Sequence, residues 1–301
     1  MTDLDDLLIK TSRTFALSIP LLPEPTAREV TIAYLLFRIA DTFEDASHWP
    51  RADRKIALEE LIRLLESPDW ERACRATRGW LDLGPSPHEG YVELISEVPD
   101  VLRAFSQLAK EARDEILRHI VRTSRGMIEY VSRTTRDGSL QLGDTADLRH
   151  YCYIVAGIVG ELLTELFLLG RSSLAPIAAV LRERAALFGE ALQLVNILKD
   201  STQDANEGRS YLPKGVDRGE IFELARGDLK ASAEYVHALQ AGGAPRGIVA
   251  FAALPVLLAR ATLDRVEEAG PGAKLRRSEV VAIVQEMNLG LEADRPAIPG
   301  Q

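Results

Sequence analysis

Asp41, Glu44 and Asp45 close an apolar stretch from Thr31 to Ala46 that runs through Ile32, Tyr34, Leu35, Leu36, Phe37 and Ile39. On a helix, spacings of three and four place these carboxylates on one face, about 5 to 6 Å apart at Cβ. Like charges that close repel, and the apolar flanks argue for burial, where an unpaired carboxylate is expensive. A divalent cation removes the repulsion. Mg²⁺ suits the site because it takes oxygen ligands and commonly uses one or two carboxylates, with substrate phosphates completing its shell. A solvated acidic helix end is the plain alternative for this cluster taken alone.

A second cluster strengthens the metal reading. Leu187 to Ile197 is again strongly apolar and continues into Lys199, Asp200, Ser201, Thr202, Gln203 and Asp204, with Asn196, Asp200 and Asp204 stepping by four along one face. Two such helices are expected to form opposed walls of a cavity holding several Mg²⁺ ions around a diphosphate, an arrangement suited to ionising an allylic diphosphate. Cations that would help the same leaving group lie near both clusters: Ser12-Arg13, Arg38 one turn before Asp41, Lys199 beside Asp200, and Arg209. Taken singly, each of these is more at home in a surface role or simple ion pair than in catalysis, and it is their position around both acidic clusters that favours the catalytic reading.

The elements that must carry these residues are helical. Apolar residues recur at three- and four-residue spacing, as in Ile56, Leu58, Leu61, Ile62, Leu64 and Leu65, and sustained alternation is hard to find. Breakers at 20–25, 50, 67–68, 84–87, 98–99, 136–143, 170–176, 206–215, 242–245 and 270–272 divide the chain into ten or more helices. No polar linker or fixed repeat interrupts the 301 residues, so one all-α domain over 1–301 is expected. The formal charge of −9 and the lack of a basic stripe argue against nucleic acid. Cys74 and Cys152 are too few for a disulfide framework, and the five histidines show no zinc spacing. The start, Met-Thr-Asp-Leu-Asp-Asp, has no signal-peptide character, and a cytoplasmic location is expected. The most span-like stretch, Tyr151 to Gly170, contains Glu161 and Glu165. The run Ile248 to Ala259 is short and holds Pro255, so no bilayer crossing is expected.

Four ordered motifs resemble the squalene/phytoene synthase family: Thr11-Ser12-Arg13-Thr14-Phe15, Leu36 to Asp45, Tyr151 to Gly160, and Gln193 to Asp204. Their order and spacing span roughly residues 11 to 213, most like a bacterial squalene synthase. The resemblance implies an all-α isoprenoid synthase fold with a central hydrophobic channel. It also implies head-to-head condensation of two prenyl diphosphates through a cyclopropyl intermediate, with about three Mg²⁺ ions assisting.

Position by position, Asp41, Glu44 and Asp45 resemble the family's first Mg²⁺ motif, and Asp200 and Asp204, with Asn196, the second. Ser12, Arg13, Thr14, Arg38, Gln193, Arg209 and Tyr211 resemble substrate contacts. Tyr151 matches a tyrosine that assists ionisation or proton removal, and Phe251 an aromatic facing the carbocation. Gly157 and Gly160 would open room beside the substrate chain or pack helices. Lys199 and Gln203 stand where the second motif usually has arginine and glutamate. Lysine keeps the charge but loses the planar fork, and Gln203 removes an anionic ligand.

Lys274 and Arg276, in Ala273 to Val281, resemble the basic segment with which squalene synthases hold NADPH phosphates, and Asn196 and Lys199 match further cofactor contacts. A basic helix edge is the alternative. The leading expectation is therefore conversion of two farnesyl diphosphates to presqualene diphosphate and then, with NADPH, to squalene. Phytoene or dehydrosqualene synthesis, a presqualene-diphosphate partial reaction, a class I terpene cyclase and a non-catalytic helical scaffold are the other readings. A membrane-soluble product makes peripheral contact with the inner membrane face a further expectation.

Overall fold

The computed structural model describes residues 3–135 and 138–299, so Arg136 and Asp137 of one predicted breaker lie outside the described residues. Two compact units make up the chain, one formed by Met1–Ile19 and Glu24–Leu140, the other by Pro20–Pro23 and Gln141–Gln301. Both are helical, as the periodicity predicts. Among the described residues the departures from helix are loops and two two-residue strands, Leu140–Gln141 and Arg209–Ser210.

The first unit contains α1 (Leu4–Thr11), α2 (Phe15–Ser18), α3 (Thr26–Asp45), α4 (Arg51–Glu66), α5 (Trp70–Asp82), α6 (Glu89–Ser96), α7 (Val98–Ser106) and α8 (Lys110–Arg133). Helix α3 is its core, because Ile32, Leu35, Leu36, Ile39, Ala40 and Phe43 lose all contact with solvent. Each such large side chain contributes about 1.5 to 3 kcal/mol of burial. It packs against α1, α4, α6, α7 and α8. The helix begins five residues before the predicted Thr31, because its first turn, Thr26-Ala27-Arg28-Glu29, is mostly polar and carries no apolar signal. Pro25 precedes that turn, where a missing N–H costs little.

The second unit contains α9 (Thr145–Cys152), α10 (Ile158–Leu168), α11 (Ala178–Asn206), α12 (Arg218–Ala241), α13 (Arg246–Ala269) and α14 (Arg277–Glu292). A π-helical turn, Tyr153–Gly157, joins α9 to α10. Its presence is unannounced by the periodicity, and such turns recur at functional sites. The 29-residue α11 is the central element, packed on α10, α12, α13 and the π-turn.

Glycine makes that packing close. A Cβ on Gly189 of α11 would fall 1.9 Å from the Ala156 carbonyl oxygen, and one on Gly160 of α10 would fall 2.0 Å from that of Ala185. Gly160 therefore serves helix packing. Gly157 faces the Tyr153 ring and the Glu190 side chain, 2.8 and 3.2 Å from where its Cβ would be.

The run Ile248–Ala259 is longer than the sequence suggests, since it lies inside the 24-residue α13, which continues through Pro255. That helix and Thr145–Leu168 are both long and apolar enough to cross a membrane by composition, and 61% of each apolar window is buried within the protein. A helix apolar on most sides is also what the interior of a large helical fold requires.

Candidate active site

At the end of α3, Arg38 stands at the centre of a contact chain. Its guanidinium lies 3.3 Å from Asp41 Oδ2, its Nε donates to Tyr34 Oη at 3.3 Å, and Tyr34 Oη donates in turn to the Thr11 carbonyl at 2.8 Å. The Tyr34 and Tyr91 rings flank the guanidinium at 5.7 and 5.3 Å. The predicted Thr11–Phe15 segment is thereby tied to the predicted Arg38 and Asp41. Within that segment the Phe15 N–H donates to Ser12 Oγ at 2.9 Å, Ser12 and Thr14 are half-buried, and Arg13 is exposed. Tyr34 and Tyr91 carry no acidic or basic signal. Tyr34 was findable as the residue one turn before Arg38, whereas Tyr91 arrives from a distant helix.

The three carboxylates of this cluster differ. Glu44 is buried, Asp41 half-buried and Asp45 exposed. Burial pushes the Asp41 carboxyl up to about 6, with Arg38 pulling against it and Asp45 adding to the rise. Burial opposes the charge of Arg38, yet Asp41, Tyr34 and Tyr91 hold its pKa above the ordinary value. No basic residue lies in the last turn of α3, although helix C-termini favour cations.

The end of α11 is built differently. Lys199 Nζ lies 3.2 Å from Asp200 Oδ2 and donates to Asn196 Oδ1 at 3.3 Å, so it bridges two predicted metal ligands. Arg209 reaches Asp204 at 3.7 Å and also pairs with Glu207, which accepts from Gln203 Nε2 at 3.0 Å. Gln193, one turn before Asn196, is half-buried. The Gly272 N–H donates to the Lys199 carbonyl at 2.7 Å. This bond brings the segment leading to the exposed Lys274 and Arg276 to the helix end that carries Asn196 and Lys199, the other two predicted cofactor contacts.

Tyr151 is buried and stacks on Tyr211 with ring centroids 4.8 Å apart and planes at 23°. A predicted acid-base residue and a predicted substrate contact are thus adjacent. Tyr211 is held beside the stretch Arg209–Ser210, whose Ser210 carbonyl accepts from the Leu142 N–H at 3.1 Å. Phe251 is wholly buried and meets Phe167 edge-on at 5.7 Å.

One buried ionic group has no counterpart in the sequence reading. Arg149 of α9 lies 3.3 Å from Glu190 Oε2 of α11 and 3.1 Å from Asp228 Oδ2 of α12. Both carboxylates are buried, and burial pushes both carboxyls up against the pull of Arg149. The three residues are 41 and 38 positions apart, so no local pattern could announce the group.

Among the described residues, no group of three or more His, Cys, Asp or Glu side chains stands together ready to hold a metal. The donor sets nevertheless fit Mg²⁺. Each helix end offers carboxylate oxygens without sulfur or imidazole, at the negative end of a helix that has no basic residue in its last turn. Mg²⁺ keeps several waters and needs one or two protein carboxylates.

A family model described as squalene/phytoene synthase matches residues 8–216. The squalene synthase ERG9 of Candida albicans is 30% identical over 214 residues, 70% of this chain and 45% of that protein. The squalene synthase of Schizosaccharomyces pombe is 27% identical over 302 residues, 92% of this chain and 63% of that protein. The chain spans less than two thirds of the length of both relatives. A solved structure described as TcSQS with the ligand E5700 superposes with a TM-score of 0.77 at 25% identity, covering 94% of this chain and 84% of the other. A dehydrosqualene synthase structure shares the fold, with a TM-score of 0.55 at 19% identity over 96% of this chain and 95% of that one. The curated relatives named here are fungal, so the match supports the family without singling out its bacterial members. With its helical architecture, its acidic ends on α3 and α11 and a family match over most of its length, the chain belongs to the squalene/phytoene synthase family.

Proposed function

We propose that the protein is a prenyltransferase that joins two farnesyl diphosphates head to head into presqualene diphosphate and reduces that intermediate to squalene, as a bacterial squalene synthase does. The observation that carries this reading is the bond from Gly272 to Lys199, which ties the segment that leads into Lys274 and Arg276 to the helix carrying Asn196 and Lys199. A reductant's phosphates need cations at such a place, and a synthase that makes dehydrosqualene or phytoene uses no reductant.

Asp41, Glu44 and Asp45, and separately Asp200 and Asp204, are the proposed Mg²⁺ ligands. Bound Mg²⁺ supplies the charge that makes pyrophosphate a good leaving group, and NADPH supplies the hydride of the second step. Arg38, held by Tyr34 and Asp41, orients substrate phosphate, with Ser12, Arg13 and Thr14 on the segment tied to it. Arg209 and Gln193 are the corresponding contacts on the second unit. Tyr151, its ring fixed by stacking on Tyr211, positions its hydroxyl to assist ionisation, and Phe251 lends an aromatic face to the cationic chain. Apolar walls keep water from the cations. We assign these roles to one synthase domain over residues 1–301 in the cytoplasm, touching the inner membrane face to release its product.

A second reading is favoured by Lys199 and Gln203. Lys199 is engaged by Asn196 and Asp200, and Gln203 adds no charge, so the enzyme would stop at presqualene diphosphate. Incubation with farnesyl diphosphate and Mg²⁺, with and without NADPH, followed by phosphatase and gas chromatography-mass spectrometry separates the readings. Squalene that appears with NADPH and presqualene alcohol without it supports the two-step enzyme. Presqualene alcohol under both conditions supports the first-step enzyme, and dehydrosqualene without NADPH overturns the leading reading.

A further inference from the structure

A cleft of about 410 Å³ lies between α13, α14 and the segment 295–299 of the second unit. Its walls are largely apolar, with Leu257 and Ala261 on α13, Ile283 and Met287 on α14, and Ala297 beyond, and four charged residues, Arg260, Asp264, Glu286 and the exposed Arg295, complete the lining. Arg260 projects from the middle of the α13 stripe 257, 260, 261 and 264 that forms one wall. Its Nε is shielded from solvent and has no hydrogen-bond partner among the described residues. A shielded guanidinium donor without a partner is costly, and buried polar atoms in native folds nearly always find one.

The nearby carboxylates do not fill that role. Asp264 is held by Arg226 at 3.1 Å, and Glu286 is exposed at the rim and makes no ion pair with Arg260. Burial lowers the pKa of Arg260 from its ordinary value, with Asp264 opposing.

We propose that this cleft binds a small amphiphile with a single anionic head, the head on Arg260 and a short apolar chain along Leu257, Ile283 and Met287. Arg260 meets one negative charge with a donor that has no other partner among the described residues, and the lining as a whole, Arg260 and Arg295 against Asp264 and Glu286, carries no surplus positive charge to hold a multiply charged head such as a diphosphate. The volume is at the low end for small-molecule sites, about 300 to 1,000 Å³, which suits a chain of medium length. The site is distinct from the acidic helix ends and does not depend on the reaction proposed for them.

Isothermal titration calorimetry of the full chain tests it with octanoate, octyl phosphate, octanol and inorganic phosphate as probes. Octanoate is expected to bind saturably at one site, more tightly than octanol and inorganic phosphate by tenfold or more. Octyl phosphate that binds as tightly as octanoate at a pH where it is a monoanion, and more weakly as a dianion, also supports a single-charge head. Arg260→Met should weaken octanoate binding about tenfold, and Ile283→Trp should abolish it by filling the cleft while keeping Arg260. Far-ultraviolet circular dichroism verifies that both variants fold, and should one not, the other carries the comparison. Octanoate binding that is absent, matched by octanol, or unchanged in the folded variants overturns the proposal.

Discussion

The ends of α3 and α11 carry similar carboxylate patterns but are held in place by different means. At α3 the surrounding core sets the geometry: Glu44 is buried, Phe43 packs between Trp49 and Trp80, and Arg54 donates to the Glu44 carbonyl. At α11 the last two turns are partly exposed and tethered from outside, through Arg218 to the Leu198 carbonyl at 3.0 Å and Gly272 to the Lys199 carbonyl at 2.7 Å. Cations engage both ends: Lys199 and Arg209 pair with Asp200 and Asp204 at α11, and at α3 Arg38, flanked by two tyrosines, pairs with Asp41 from one turn back. A packed end presents its ligands whether or not metal is bound. A tethered end depends on bonds from other segments to do so, and at both ends metal and diphosphate must displace or recruit the local cations.

Removing a ligand from either end is the strongest way to break that comparison. Asp41→Ala and Asp204→Ala should each lower Mg²⁺-dependent pyrophosphate release by about a thousandfold or more, the scale of a lost metal contact in phosphate chemistry, with the fold intact by circular dichroism. Near-normal turnover in Asp204→Ala would show that only the packed end handles metal.

Next in size is the buried ionic group behind the tethered end. Arg149→Met leaves Glu190 and Asp228 without their cation, and should cost about 3 kcal/mol at neutral pH, the lower end for a buried pair because Arg149 is partly exposed. Both carboxyls have folded pKa values above ordinary, so their favourable contribution is full below the ordinary carboxylate range and is lost as pH rises through the folded values. Urea titrations at about pH 5 and pH 7.5 should therefore show the larger loss at the higher pH. An equal loss at both would mean that Arg149 acts through packing.

Gly189→Ala tests whether α11 must touch the π-turn so closely. With Cβ placed 1.9 Å from the Ala156 oxygen, the backbones must part, at an expected cost of about 2 kcal/mol in denaturant titrations. The same change at Gly227, with open space around it, is the control and should be near neutral or stabilising. The smallest effect is expected for Gln203→Glu, which adds one charge to the tethered end. The Mg²⁺ concentration for half-maximal activity should fall by about threefold, since affinity follows ligand charge. No change would mean that position 203 faces away from the metal.

The acidic pairs, their apolar helices and the breakers between them were readable because each depends on neighbours three or four residues apart, the spacing that also sets helix faces. That is why Asp41, Glu44, Asp200 and Asp204 could be named together with the elements that carry them. Tyr91, Glu190, Asp228 and Arg149 could not, since each earns its place from a partner on another helix. Gly160 had two readings until α11 was seen against α10, where the Ala185 carbonyl occupies the room a side chain would need.

Residue identity and periodicity alone thus establish an all-α chain, carboxylates at two helix ends and the family those motifs resemble, because these are local properties. How those carboxylates are held is a matter of packing. Whether Asp41 is desolvated beside Arg38 and whether the segment before Lys274 is tied to Lys199 depend on contacts between segments far apart in the chain. The physical reason is range: helix formation is governed within a few residues, whereas burial and charge pairing are set by whatever distant helix comes to lie alongside.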